Sequence, residues 1–165
     1  MSTQTQPFTL QPGAGKRVPT LIGGPITFKL TGETSGGSMI MLESRPPAGQ
    51  GPPLHLHQDQ DEWLYVLDGE MRFRVDDDVV PAPPGSFVFI PSGVPHCWQN
   101  VDSRQGLLIC VIAPAGLERF FERFAALPET ERNPESFRAL GPEEGMLVLG
   151  PPLAQSHPIP EPANA

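Results

Sequence analysis

Three of the chain's four histidines fall where they can work together. His55 and His57 are two residues apart, so on an extended strand both imidazoles project from one face. Glu62 follows after a short polar stretch, and His96 lies far downstream, on a different strand. Three neutral imidazoles and one carboxylate are a donor set suited to a divalent first-row metal, and they leave two positions of an octahedron for water, substrate or oxygen. A single histidine on an apolar strand is ordinarily a satisfied core residue. A pair at i, i+2 with a carboxylate and a third imidazole argues for ligation instead. The other reactive side chains make weaker cases. Cys97 follows His96 directly and points to the opposite side of its strand, so the two cannot act as nucleophile and base. Cys97 and Cys110 lie in apolar stretches and read as core thiols. Asp76-Asp77-Asp78 has the composition of a hard-cation site, but between two extended runs it reads as a solvated hairpin turn. Asn100 has a side chain suited to bonding a nearby backbone group, a structural role.

The elements that must position these residues are short and extended. Ile26, Phe28 and Leu30 alternate with Thr27, Lys29 and Thr31, the period of a half-buried strand. A turn over 31–37, a strand over 38–43 and a loop over 45–53 lead to the His55–His57 strand. A strand over 62–67 follows, then a turn at Asp68-Gly69. Met71, Phe73 and Val75 next alternate with Arg72 and Arg74, which puts the arginines on the outside if the apolar residues face in. Further strands are expected over 87–90, 96–101 and 107–113. Short strands punctuated by turns argue an all-β barrel or sandwich. After Pro114 the period changes. Leu117, Phe120, Phe121, Phe124 and Leu127 share one helical face, with Glu118, Arg119, Glu122 and Arg123 opposite. Asn133 as N-cap, Pro134 and Gly141 bracket a second short helix. Residues 146–149 suggest a last strand. The organisation expected is therefore an N-terminal arm (1–20), a barrel (21–114), a helical extension with a last strand (115–150) and a Pro-rich, disordered tail (151–165).

The chain has 165 residues and a mass of 17.9 kDa, the size of one domain. With 11 Lys+Arg against 19 Asp+Glu the net charge is −8, so the basic footprint that nucleic acid or an anionic membrane surface requires is absent. No apolar run approaches the length of a membrane span, and the N-terminus has neither the charged nor the apolar region of a signal peptide. A cytoplasmic location is expected. The 17 glycines and 22 prolines would suit a low-complexity chain, but they sit between β-branched and aromatic runs, where they serve as turns.

The punctuation around the four donors has fixed offsets. One string reads Gly49, five residues, His55, one, His57, four, Glu62, six, Gly69. The other reads Gly85, five residues, Pro91, one, Gly93, two, His96, three, Asn100. Gly69 and Gly93 permit the positive φ of tight turns, and Pro91 and Pro95 stiffen the turn that delivers His96. These strings match both signature motifs of the cupin family at every specified position, and the resemblance covers about residues 20 to 115. It implies a double-stranded β-helix, a jelly-roll barrel open at one end, in which His55, His57, Glu62 and His96 point inward and hold one metal ion. Many relatives are homodimers, often with exchanged strands, and residues 1–30 are available for that here. The segments 52–73 and 114–124 also resemble single-domain cupins grouped with quercetin 2,3-dioxygenases. The helix over 117–127 can fold over the barrel mouth or pack outside a sheet, and packing of Phe120, Phe121 and Phe124 is the reading favoured.

Three functions fit such a site. In an oxygenase the metal, one of Fe, Mn, Ni, Co, Cu or Zn, binds an enolate or phenolate oxygen and activates it toward O2, the second small-molecule partner. Glu62 then serves as ligand and as base for the substrate hydroxyl. Leu64, Val66, Phe73, Phe89 and Trp98 are the apolar side chains available for the pocket; Leu64 and Val66 share the face of Glu62, and Trp98 that of His96. A metal-dependent isomerase, lyase or decarboxylase of a keto or hydroxy acid is the second reading, and it wants an inward-facing cation. The third is a non-catalytic small-molecule-binding module. A metal-dependent dioxygenase acting on a small aromatic or enolic substrate, with Leu64, Phe73 and Trp98 in its pocket, is the function expected.

Overall fold

Alternation along each strand decides which side chains meet in the middle of the molecule. The computed structural model describes residues 5–21 and 23–159. Its strands are β1 (Lys16–Val18), β2 (Ile26–Leu30), β3 (Ile40–Ser44), β4 (Pro53–His57), β5 (Asp61–Asp68), β6 (Met71–Val75), β7 (Asp78–Ala82), β8 (Phe87–Ile90), β9 (His96–Asn100), β10 (Leu107–Ala113) and β11 (Met146–Pro152). They form two antiparallel sheets, ordered β1-β2-β3-β10-β5-β8 and β11-β4-β9-β6-β7. The inward residues of both sheets, among them Phe28, Leu42, Leu64, Phe73, Trp98, Leu108 and Ile112, fill one core. This is the double-sheet barrel expected. Among the described residues no helix is long and apolar enough to cross a membrane.

Strand β9 is buried on both faces, and the loop before β4 pairs along its edge. Gly49 N–H donates to the Asn100 carbonyl and Asn100 N–H to that of Gln50, each at 2.9 Å. The contact is close enough that a Cβ on Gly51 would stand 1.7 Å from the Trp98 carbonyl oxygen, so only glycine fits. Asn100 plays the structural part expected: its Nδ2 donates to the carbonyls of Pro46 and Arg104, and its Oδ1 accepts from Asp102 N–H. Gly69 and Gly93 have φ of 85° and 79°, and Gly93 N–H ties the turn before His96 to the His57 carbonyl at 2.7 Å.

Several expectations need correction. The N-terminal arm contains β1, which pairs with β2 of the same chain. The turn after β2 includes a helical turn, α1 (Gly32–Ser35), closed by a capping box from Thr31. Asp78 opens β7, a strand without alternation that carries Pro81; it is tolerated because β7 lies at a sheet edge. Asp76 and Asp77 form the turn itself. The helices α2 (Glu118–Ala126) and α3 (Pro134–Leu140) stand where the periodicity put them, with Asn133 capping α3. The tail expected to be disordered begins as the end of β11 and the short helix α4 (Leu153–Ser156), whose Leu153 is fully buried. Residues 160–165 of that tail, and 1–4 of the arm, lie outside the described residues.

Candidate metal centre

Two sheet neighbours and one strand of the facing sheet converge on a single point. His55 and His57 leave β4 on its inner face, and His55 sits opposite His96 in the β4–β9 pairing. Glu62 comes from β5 across the barrel. The donor atoms of His55, His57, Glu62 and His96 all lie within 4.8 Å of one another, and all four residues are buried. Ring centroids are 5.1 Å apart for His55 and His57 and 4.3 Å for His55 and His96. All four residues singled out in the sequence are therefore brought together.

Hydrogen bonds orient the rings. His55 Nδ1 lies 2.8 Å from the Pro53 carbonyl oxygen and His96 Nδ1 2.9 Å from that of Val94. A carbonyl oxygen only accepts, so both Nδ1 atoms carry protons and each Nε2 is turned inward, the arrangement that second-sphere partners impose on metal-binding imidazoles. His96 Nε2 then stands 2.8 Å from Glu62 Oε2, and His57 Nε2 is 3.4 Å from the same oxygen. A neutral His96 cannot donate from both nitrogens; a cation shared between Nε2 and Oε2 satisfies both. Burial of such a carboxylate and three imidazoles is costly without one. The donor set fits a divalent transition metal.

The charges are arranged for the same task. Burial, with the neighbouring His96 and His57 adding to it, pushes the His55 imidazole well below its usual value, so it stays neutral. Burial alone would raise the Glu62 carboxyl, but the His57 and His96 imidazoles set against its Oε2 outweigh it and hold the group far below the usual carboxylate range. Burial and the Glu62 charge push the Cys110 thiol well up, and its sulfur is not among the clustered donor atoms. Cys97, raised by burial to about 11, faces the other side of β9 as expected.

Beside the donors lies a cavity of about 80 Å³. Its walls come from Ile26, Leu42 and Ile112 of the larger sheet, Trp98 and Met146 of the smaller one, and Leu117 and Phe121 at α2; Ser44 and Cys110 open onto it. No arginine or lysine lines it. Of the expected pocket residues Trp98 is present. Leu64 and Phe73 are not: they are 1% and 0% exposed, sealed in the core. Parity put Leu64 on the face of Glu62, but one strand repeat, about 6.8 Å, carries it past the cavity toward the closed end. Phe89 points outward and stacks on Trp63. The helix expected to pack outside does so only in part: Phe120 and Phe124 pack on Phe137, while Leu117 and Phe121 face the cavity. Glu118, expected on the solvent side, is buried. Periodicity marked these residues as apolar or polar without saying which layer they meet.

The comparisons with known proteins agree with the fold. Residues 41–112 match the Cupin domain family. The chain is similar to quercetin 2,3-dioxygenase of Bacillus subtilis, 27% identical over 117 residues, which are 70% of this chain and 34% of that protein. The chain thus spans about one third of that relative's length. Protein SchB of Streptomyces halstedii is 30% identical over 95 residues, 56% of this chain and 67% of SchB. The solved polyketide cyclase RemF of Streptomyces resistomycificus superposes with a TM-score of 0.57 over 66% of this chain and 80% of RemF, at 19% identity, a likeness of fold.

Proposed function

The chain belongs to the cupin superfamily, and we propose that it is a metal-dependent dioxygenase acting on a small enolic or aromatic substrate. The observation that carries this reading is the placement of three imidazoles and a carboxylate, all buried, beside an apolar cavity that no cationic side chain lines. His55, His57, Glu62 and His96 hold one divalent ion. Bound there, the ion supplies Lewis acidity toward a substrate oxygen and a template for the reaction with O2.

The protein's own groups do the rest. The Pro53 and Val94 carbonyls keep His55 and His96 in the tautomer whose Nε2 faces the cavity. Glu62 engages His57 and His96 through Oε2, which leaves Oε1 to take the proton of a substrate hydroxyl. Ile26, Leu42, Ile112 and Trp98 exclude water and favour a neutral, flat molecule. An acid substrate fits less well. Arg72, one of the candidates to pair with it, lies on the outer face, where it donates to Gln99 and to the His157 carbonyl.

Elemental analysis of the untagged protein beside His96→Ala tests the centre. About one equivalent of a transition metal in the parent, lost in the folded variant, is the expected result. An oxygen electrode with enols and phenols of graded size then tests the reaction. Uptake that needs the metal supports the dioxygenase. Metal binding without uptake favours non-redox chemistry, and no metal after reconstitution leaves a binding module.

A further inference from the structure

Strands supply most walls of the metal cavity, and α2 adds Leu117 and Phe121, one turn further on. Of the lining residues only Phe121 and Pro52, in the loop before β4, are half-buried; the others, Leu117 among them, are buried. Phe121 is half-buried, with its ring edge against Phe28 at 6.1 Å between centroids, so with Pro52 it forms the partition between cavity and solvent. What remains behind it is about 80 Å³, whereas pockets for drug-sized ligands begin at roughly 300 Å³.

The partition is fixed at both ends. The buried Glu118 carboxylate accepts from Gly32 N–H and Gly116 N–H, each at 2.8 Å. Beside it Arg119 Nε donates to Glu144 at 2.9 Å, and one turn along Arg123 pairs with Glu143 and Glu144 at 2.7 and 3.1 Å. Phe120 and Phe124 wedge edge-on against Phe137 of α3, with centroids 4.7 and 5.2 Å away. A helix held by ion pairs, a buried carboxylate and an aromatic cluster keeps Phe121 in place, so the space behind it is a property of the fold.

We propose that Phe121 sets the upper size of the substrate: the site takes compact enols and rejects multi-ring flavonols. This rests on the reading of the four donors as a metal centre. The walls behind Phe121 are apolar apart from the donors, the Ser44 hydroxyl and the Cys110 thiol. A compact enol that reaches the metal by its oxygens and Ser44 by a hydrogen bond fits that chemistry. A flavonol with the same oxygens carries an aryl ring that must occupy the place of Phe121.

The test uses the full-length protein loaded with cobalt(II), whose visible spectrum reports ligands entering its coordination sphere. Acetohydroxamate is the small bidentate probe and 3-hydroxyflavone the large one. In the parent, acetohydroxamate shifts the spectrum saturably and 3-hydroxyflavone does not. In Phe121→Ala, 3-hydroxyflavone binds at least about tenfold tighter than in the parent, while acetohydroxamate changes far less. Phe121→Leu serves the same purpose if the alanine variant fails to fold, with circular dichroism as the check. A parent that binds 3-hydroxyflavone as well as the variant overturns the size limit alone. Cobalt that binds neither protein overturns the metal-centre reading, and this inference with it.

Discussion

His55 links the chemistry of the site to the stability of the protein. Burial, with His96 and His57 nearby, keeps it neutral when folded, whereas an unfolded histidine takes a proton near the usual 6.5. Its folded pKa is the lower one, so unfolding below pH 6.5 takes up a proton and stability is lost as the pH falls. For one proton the loss is about 1.4 kcal/mol per pH unit. Urea midpoints of chelator-stripped protein between pH 7.5 and 5 check this, and His55→Gln is expected to flatten the decline. Glu62→Gln addresses the chemistry: the variant should stay folded, keep some metal and lose roughly 10²- to 10⁴-fold in turnover. Full activity in it would remove Glu62 as the base. The four donors were legible in the sequence because parity on a strand is a local property. The pocket was legible only where parity and depth coincide, as at Trp98. Depth along a strand depends on where the partner strands end, so Leu64 and Phe73 were sent to a cavity they do not reach.

Among the elements, α2 depends most on a single side chain. Glu118 fills its carboxylate with two backbone N–H groups, from Gly32 at the start of α1 and from Gly116 just before α2, and Glu118→Ala leaves the buried Gly116 donor without a partner and the Gly32 donor to solvent. Hydrogen bonds to a charged group contribute about 1.5–3 kcal/mol each, so a loss of roughly 3 kcal/mol is expected in urea unfolding. Glu118→Gln, which keeps an acceptor oxygen, should recover part of it. Equal stability of all three proteins would show that the ion pairs to Glu143 and Glu144 hold the helix unaided. The apolar stripe and the cap of the neighbouring helix announced α2 and α3 in the sequence. The burial of Glu118 did not show, because its partner Gly32 is distant in the chain. Strand β7 escaped for a related reason. Its side chains are exposed up to Ala82, so no alternation marks it, and its pairing with β6 alone makes it a strand. The Pro-rich composition after Gly150 likewise hid α4, whose one buried residue, Leu153, closes the outer side of β9.

At the scale of the whole molecule, the outer face of the larger sheet is apolar, met by residues 8–12 near Met41 and Glu43 and exposed toward β8. Register places Met41, Val111, Trp63 and Phe89 in one row across β3, β10, β5 and β8, and Glu43, Ile109, Tyr65 and Phe87 in the next. Seven of these eight side chains are apolar or aromatic, and the exposure rises toward the β8 edge, to 46% at Phe89 and 61% at Phe87. A contiguous apolar patch of this kind marks an interaction surface, and β8 is an edge strand whose outer backbone groups are available for pairing. The cover we propose is a second copy of this chain, because one self-complementary patch of apolar rows meets itself about a two-fold axis without needing opposite charge. A net charge of −8 on each copy opposes association at low ionic strength and is screened as salt rises. Sedimentation velocity at micromolar concentration should therefore find a dimer that tightens from 20 to 200 mM salt, and Phe87→Lys with Phe89→Lys should sediment as a monomer that still binds metal. A parent that stays monomeric at every salt concentration would leave these rows to another partner. A double variant that loses its metal as well would mean that the outer rows hold the barrel itself in shape, since Trp63 and Phe89 lie one residue from Glu62 and Ile90 on the same strands that frame the site.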